Sequence, residues 1–339
     1  GEGGIVVTND EALMVRMKDI AARLDLSQTT VSHVLTGKHQ QYRISAKTVE
    51  RVKKMAEALG YRSSALARAF RDRRSYSVTL AVEDLTNPFW TGVAIGAEKE
   101  AEAHGYVLVV SNTGGNAGRE GRSVQMLQER RVDGLIVSPV TIADPALLQL
   151  RKVGLPFGQI DRSVKGADIP CVRTDHLAGS QLAVDHLVER GHRRIAILTG
   201  PLTVQTFEIR LEGFRKALAR HGLKPAAVEL IVPEAAEAEE CVRRLCASKE
   251  RPDALYTTNI WMTLGALRAI RASGIPVPAE MEVVGFDDIS MADLFALPVS
   301  TIVQDVEAIG RESFRALLKV MKGQKVPRET LIPPKLKVR

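Results

Sequence analysis

The sequence predicts an α/β fold in which a small three-helix head precedes two doubly wound parallel-sheet lobes. From residue 77 onward, short apolar runs without alternation are separated by amphipathic segments of about a dozen residues, as in sheets covered on both faces. That succession occurs twice, over roughly residues 77–174 and 175–302. Ahead of it the patterning is helical, and residues 16–76 hold 14 Lys and Arg against 5 Asp and Glu, so the basic excess of the +7 chain is concentrated there.

The first helix is "MKDIAARLDL", with Ile20 and Leu24 inward and Ala21 small enough for a crossing helix to approach. Asp25 and Leu26 make a turn. "SQTTVSHVLTG" then reads as a second helix with Ser27 as N-cap and Val31, Val34 and Leu35 as its apolar stripe. Its other face carries Gln28, Thr29, Ser32 and His33, polar groups that a helix entering the DNA major groove presents to base edges. "ISAKTVERVKKMAEALGY" supplies a third helix, capped by Ser45, apolar at Val49, Val52, Met55, Ala56 and Leu59, and ended by Gly60. "RSSALARAFRDRRS" is helix-capable but has only Leu66 and Phe70 as large apolar side chains. Its arginines repel one another until phosphates neutralise them.

In the two lobes the predicted strands are "SVTLAV", "YVLVVSN", "VDGLIVSP", "LPFGQID", "RRIAILTG", "DALYTTN" and "MEVVGFDD". Predicted helices cover residues 92–104, 120–131, 178–190, 209–221, 262–273 and 306–322. Ligands of such sheets gather beyond the carboxyl ends of the strands. The polar and aromatic residues there are Asn87, Phe89, Trp90, Asp161, Arg162, Asn259, Trp261, Asp287 and Asp288. Carboxylates and amides beside aromatic faces suit a small hydroxylated ligand, although each residue singly also suits a helix cap or a turn.

Taken in order and spacing, "MKDIAARLDLSQTTVSHVLTG", "TNPFWTGVAIGAEKEAEAHGY", "RRVDGLIVSP", "GHRRIAILTGP", "PDALYTTN", "VVGFDDI" and "LPVSTIVQDVEAIGRES" resemble the LacI/GalR family of transcriptional regulators. The resemblance runs from about Met17 to the C-terminal region. It implies a homodimer that binds a pseudo-palindromic double-stranded DNA operator. It also implies a core of the periplasmic-binding-protein-like type I, holding an effector between its lobes. Carried over by position, Gln28, Thr29 and His33 read bases. Ser27, Thr30 and Ser32 lie near phosphates, and Tyr42, in a loop about three residues longer than usual, adds a backbone contact. The Arg-rich segment matches the hinge helix, with Ala67, Arg68, Phe70 and Arg71 at the minor groove and Phe70 where the family usually has Leu. Phe89, Trp90, Asp161, Arg210, Asn259, Asp287 and Gln304 match effector positions, and Trp261 joins them. Ile260 stands where many sugar-binding members have Asp, and Val204 where purine-responsive members have Arg. The resemblance thus favours a sugar or sugar derivative over a purine.

The resulting domain plan has an N-terminal extension at residues 1–16, the helix-turn-helix at 17–61 and the hinge at 62–76. The first lobe takes 77–174 and 303–323, and the second 175–302 and 324–339. No apolar run approaches the roughly eighteen residues of a membrane span, and the start lacks a signal-peptide pattern, so a cytoplasmic protein is expected. Cys171, Cys241 and Cys246 show neither disulfide nor metal-ligand spacing. No nucleotide-cradling loop or catalytic triad order is present, so neither cofactor nor catalysis is expected. A solute-binding protein of sugar transport is the alternative, and the helix-turn-helix head argues against it.

Overall fold

The computed structural model describes residues 17–61, 74–141, 147–148, 150, 154–164, 168–289, 292 and 298–339. The chain forms two units, residues 1–75 and 76–339. Residues 1–16 and the predicted hinge positions Ala67, Arg68, Phe70 and Arg71 lie outside the described residues.

In the first unit α1 (Met17–Leu24), α2 (Gln28–Leu35) and α3 (Ala46–Ala58) close around Ile20, Ala21, Leu24, Val31, Val34 and Val52. Ser27 has extended backbone and accepts from the Thr30 N–H at 3.0 Å, so α2 starts where its cap dictates. Ser45 does the same for α3 through the Thr48 N–H at 3.2 Å. Asp25 holds φ at +53°, a left-handed conformation that favours glycine and that Asp tolerates better than most residues. Arg51 Nη2 donates to the Leu24 carbonyl at 3.1 Å, satisfying one of the orphan acceptors at the end of α1.

The strands of the second unit are, in chain order, β1 (Ser77–Val82), β2 (Val107–Asn112), β3 (Gly134–Val137), β4 (Phe157–Ile160), β5 (Cys171–Thr174) and β6 (Ile195–Thr199). They continue with β7 (Ala227–Leu230), β8 (Ala254–Thr257), β9 (Glu282–Phe286), β10 (Ser300–Val303), β11 (Glu329–Ile332) and β12 (Lys335–Lys337). One sheet has the order β11-β5-β4-β3-β1-β2, the other β12-β10-β9-β8-β6-β7. Among the described residues all strand pairs are parallel except β10 with β12. In both sheets the first strand lies between the second and the third, which makes a topological switch point and opens a crevice at the strand ends.

The helices are α4 (Pro88–Ala103), α5 (Ala117–Glu129), α6 (His176–Glu189), α7 (Gln205–Arg220), α8 (Ala235–Ala247), α9 (Ile260–Ser273) and α10 (Val306–Met321). β5, β7, β10, β11, β12 and α8 were not among the predicted elements. The expected lobe boundary near the C-terminus is also corrected. Residues 329–332 had been assigned to the second lobe, but β11 pairs with β5 from Glu329↔Cys171 to Ile332↔Thr174 and so extends the first sheet. An ion pair of 2.6 Å between Arg173 and Glu329 holds that edge. Only β12 returns to the second sheet, and Val303 belongs there with it, opposite Lys335. The chain therefore passes between the lobes near residues 174–176, 303–306 and 332–335.

α4 and α10 approach so closely that neither tolerates a side chain at the crossing. A Cβ on Gly310 would stand 2.0 Å from the Val93 carbonyl oxygen, and one on Gly96 would stand 2.2 Å from that of Glu307. This crossing anchors α4, whose first turn carries Phe89 and Trp90. Gly310→Ala should destabilise the protein by about 3 kcal/mol, since the clash is with backbone and not with the end of a flexible side chain. Gly158→Ala, where the added Cβ meets only the Pro170 carbonyl oxygen at 3.8 Å, should cost far less. Urea denaturation of the two variants checks the contrast.

Candidate functional sites

In the head, Ser27, Gln28 and Thr29 are exposed, and Thr30, Ser32 and His33 are half-buried. Val31 and Val34 are turned into the core, so the positions expected to face DNA lie on the opposite side of α2. Thr30 Oγ1 lies 2.8 Å from Ser27 Oγ, which couples two of the hydroxyls expected near phosphates. His33 is not a free side chain. Its ring stacks on that of Tyr42, with centroids 3.6 Å apart and planes inclined by 14°.

The second site lies between the lobes of the 76–339 unit. Seven of the eight expected effector residues, Phe89, Trp90, Asp161, Arg210, Asn259, Asp287 and Gln304, line one small pocket of about 50 Å³. Trp261 lines an adjoining wider cleft of about 710 Å³, with Asn112, Val204 and Glu234 among its walls. Glu83, Asn87, Arg162, Phe207 and Asn259 border both spaces. Asp288 has a different task. It accepts from Arg339 Nη2 at 2.8 Å and from the Thr301 hydroxyl at 3.1 Å, fastening the C-terminal residues to the second sheet.

The two site carboxylates are placed alike. Asp161 follows β4 and Asp287 follows β9, the fourth strand of each lobe, and both have left-handed backbone, with φ of +63° and +83°. Each first extends its sheet: Asp161 N–H donates to the Val172 carbonyl at 2.9 Å and Asp287 N–H to that of Ile302 at 3.0 Å. The chain then turns sharply. Backbone of this kind is costly for a non-glycine residue and is found where a side chain must be aimed.

Around them runs a chain of polar contacts. Arg210, 5% exposed, donates to the Thr258 carbonyl and stands with its Cζ 3.8 Å from the centre of the Phe286 ring. Its Nη2 lies 3.3 Å from His176 Nδ1, and His176 Nε2 lies 3.3 Å from Asp161 Oδ1. Arg162 pairs with Glu83 at 2.6 Å and lies 3.7 Å from Asp161. The Thr174 hydroxyl donates to Gln304 Oε1, and Gln304 Nε2 donates to Asp287 Oδ1 at 2.5 Å. Gln205 Oε1 accepts from the Ser163 N–H at 2.8 Å, a direct bond between the lobes.

Electrostatics separates the two aspartates. Burial works to raise the Asp161 pKa, but the His176 hydrogen bond and the charges of Arg162 and Arg210 outweigh it, and the net shift is downward. Burial raises that of Asp287, and Arg210 and Gln304 offset this only in part. Burial, and then the charge of Arg210, push His176 down to about 4, so its ring is neutral near pH 7. A neutral ring that accepts from Arg210 at Nδ1 carries its proton on Nε2, towards Asp161.

Sequence reasoning missed Glu83, Thr206, Phe207, Asn112 and His176. Glu83 directly follows a predicted strand and could have been weighed with Asn87. Nothing local marks His176, which reaches the site only because α6 begins at a passage between the lobes.

The chain matches the model of bacterial regulatory proteins of the lacI family over residues 16–64 and that of the periplasmic binding protein-like domain over residues 184–339. It is 31% identical over 308 residues to the ribose operon repressor of Escherichia coli strain K12, covering 90% of this chain and 92% of that protein. With the HTH-type transcriptional repressor PurR of Mannheimia succiniciproducens it shares 30% identity over 330 residues, covering 96% and 98%. The Lac repressor dimer bound to operator and an anti-inducer superposes with a TM-score of 0.85 at 29% identity, covering 96% of this chain and 98% of that one.

Ionised Asp287 is more costly in the folded protein than in the unfolded chain, because its folded pKa is raised. That cost grows as pH rises through the folded pKa and vanishes below the unfolded one. Asp287→Asn should therefore melt higher than the unsubstituted protein near pH 7, and the gap should close as pH falls to about 4. Calorimetric melting across that range checks it.

Proposed function

The chain belongs to the lacI family of bacterial regulatory proteins, and we propose that it is a homodimeric repressor whose affinity for a pseudo-palindromic operator is set by a carbohydrate effector held between its core lobes. It is a DNA-binding transcriptional regulator under small-molecule control. The observation that carries the more specific reading is convergence. Residues scattered from Phe89 to Gln304 line one pocket, in a chain whose head presents a capped, polar-faced helix.

The pocket's charge supports an uncharged ligand. Among the described residues of the lining, Glu83, Asp161 and Asp287 face Arg162 and Arg210, so these carry no surplus of cations to take up a phosphate or a sugar acid. Asn87 and Asn259 spend Oδ1 on the caps of α4 and α9, which leaves their amide N–H groups for a hydroxyl. Phe89 and Trp90, edge to face at 4.7 Å, and Trp261 in the outer cleft supply apolar faces for a sugar ring.

The dimer is supported by the open sheet edges. Val107, Val109 and Val110 on β2, and Leu230 on β7 with Val232 just after it, are exposed apolar residues on or beside the edge strands of their sheets. Such edges are normally covered. Effector binding, in this reading, is stronger in one relative arrangement of the lobes. The lobes of the two protomers reorient, and operator affinity changes with them, by a coupling free energy shared between the two sites. The reading assigns the chain no catalysis and places it in the cytoplasm.

The test is operator binding of the purified protein to its own upstream region, with and without a panel of neutral sugars and sugar phosphates. A footprint over a palindrome, shifted by a neutral sugar, is the expected result. Asp161→Asn should weaken that sugar about 10- to 100-fold by removing charge-assisted hydrogen bonds, with operator affinity in its absence nearly unchanged. Isothermal titration and gel shift read the two quantities separately.

A further inference from the structure

From the stacked pair in the head we infer that Tyr42 is a positioning residue for base reading: its ring fixes the plane of the His33 imidazole, and that fixed plane sets the base preference at the position His33 meets. The inference rests on the reading that α2 contacts bases. It changes the expected role of Tyr42, which had been expected to contact the DNA backbone.

The stack is built into the loop that follows α2. Lys38 N–H donates to the carbonyl of His33 itself at 2.8 Å, so the loop begins bonded to the residue it covers. Tyr42 N–H donates to the Lys38 carbonyl at 3.2 Å, Arg43 N–H to that of Gln40 at 3.2 Å, and Ile44 N–H to that of His39 at 2.9 Å. Gly37 and Arg43 take left-handed φ of +76° and +54°. These bonds make residues 37–44 a tight turn that returns the chain over α2 and delivers the Tyr42 ring onto His33. Tyr42 remains 50% exposed, so burial does not account for its placement.

The physical effect is on ring orientation. An imidazole hydrogen-bonds only in its own plane, through Nδ1 and Nε2. A half-buried histidine with a free outer torsion can point those edges at several groups, because that torsion has a broad, nearly two-fold profile. A parallel aromatic ring covers one face and leaves the edges as the groups that can meet a base. Discrimination between base pairs depends on such in-plane geometry, whereas a phosphate contact positions the protein without reading sequence.

Selection from randomised duplexes with the unsubstituted full-length protein and with His33→Ala identifies the base pair whose preference depends on His33. At that pair Tyr42→Phe, which keeps the ring, should retain the preference. Tyr42→Ala should reduce it about three- to tenfold, the range expected for an aromatic pair. The double variant Tyr42→Ala/His33→Ala should lose no more than His33→Ala alone. The salt dependence of binding to unrelated DNA should be the same for all, since no phosphate contact is removed.

A second measurement needs no DNA. With histidine ring carbons labelled in the full chain, the His33 ring proton should be shifted upfield in the unsubstituted protein and in Tyr42→Phe, and not in Tyr42→Ala. Three results overturn the inference: an unchanged His33 signal in Tyr42→Ala; equal loss of affinity for all duplexes in Tyr42→Ala and Tyr42→Phe, as a backbone contact through the hydroxyl would give; or retention of the preference in Tyr42→Ala. If the unsubstituted protein selects no sequence while the upfield shift is present, the base-reading premise has failed and the stack has not.

Discussion

The cleft depends on how one buried guanidinium is held. Arg210 sits almost out of water, and an unpaired charge in that position would cost several kcal/mol. Three groups meet it: the Thr258 carbonyl at the end of β8, the face of Phe286 at the end of β9, and Nδ1 of His176 at the start of α6. All three lie at carboxyl ends of strands or just beyond them. Holding Arg210 therefore gathers the loop ends of the second lobe around one point, and through His176 it reaches Asp161 of the first lobe.

That arrangement requires α7 to lie unusually close to α6. A Cβ on Gly213 would stand 2.7 Å from the Leu177 carbonyl oxygen and 2.8 Å from Cβ of Ser180. Gly213 is one turn beyond Arg210, so the missing side chain lets the guanidinium come within reach of His176. Ser180 completes the contact by bonding Tyr256 across 2.7 Å. Helix packing at a small residue and the electrostatics of the site are thus one constraint, seen at two distances from the ligand.

The fold was legible because each lobe repeats a pattern that periodicity reveals: apolar runs for buried parallel strands and striped segments for the helices between them. Several elements were missed all the same, and for two of the strands the reason is a weak signal. β7 and β11 are short edge strands with no fully buried residue, and alone they look like loop. The partner of β11 is more than 150 residues away in the chain, in β5, so its lobe was assigned by sequence neighbourhood and assigned wrongly. The site was legible in those residues that stand beside a strand end. His176 was not, because β5, the strand it follows, was not predicted, and Phe207 was not, because what brings it in is the packing of α7.

The sequence left open, for Asn87 and Asn259, whether each caps a helix or binds a ligand, as though the two were exclusive. In the structure the cap occupies only the carbonyl oxygen of each amide: Asn87 Oδ1 accepts from the Phe89 N–H at 3.0 Å and Asn259 Oδ1 from the Met262 N–H at 2.8 Å. Capping fixes the rotamer and so directs the remaining Nδ2 hydrogens. Both residues line the inner pocket and the outer cleft, one from each lobe. Structural and functional roles are therefore joined in one group: the bond that starts the helix orients the donor. A ligand hydroxyl meeting both amides would touch the starts of α4 and α9 together, and would favour whichever lobe arrangement brings them to the right separation.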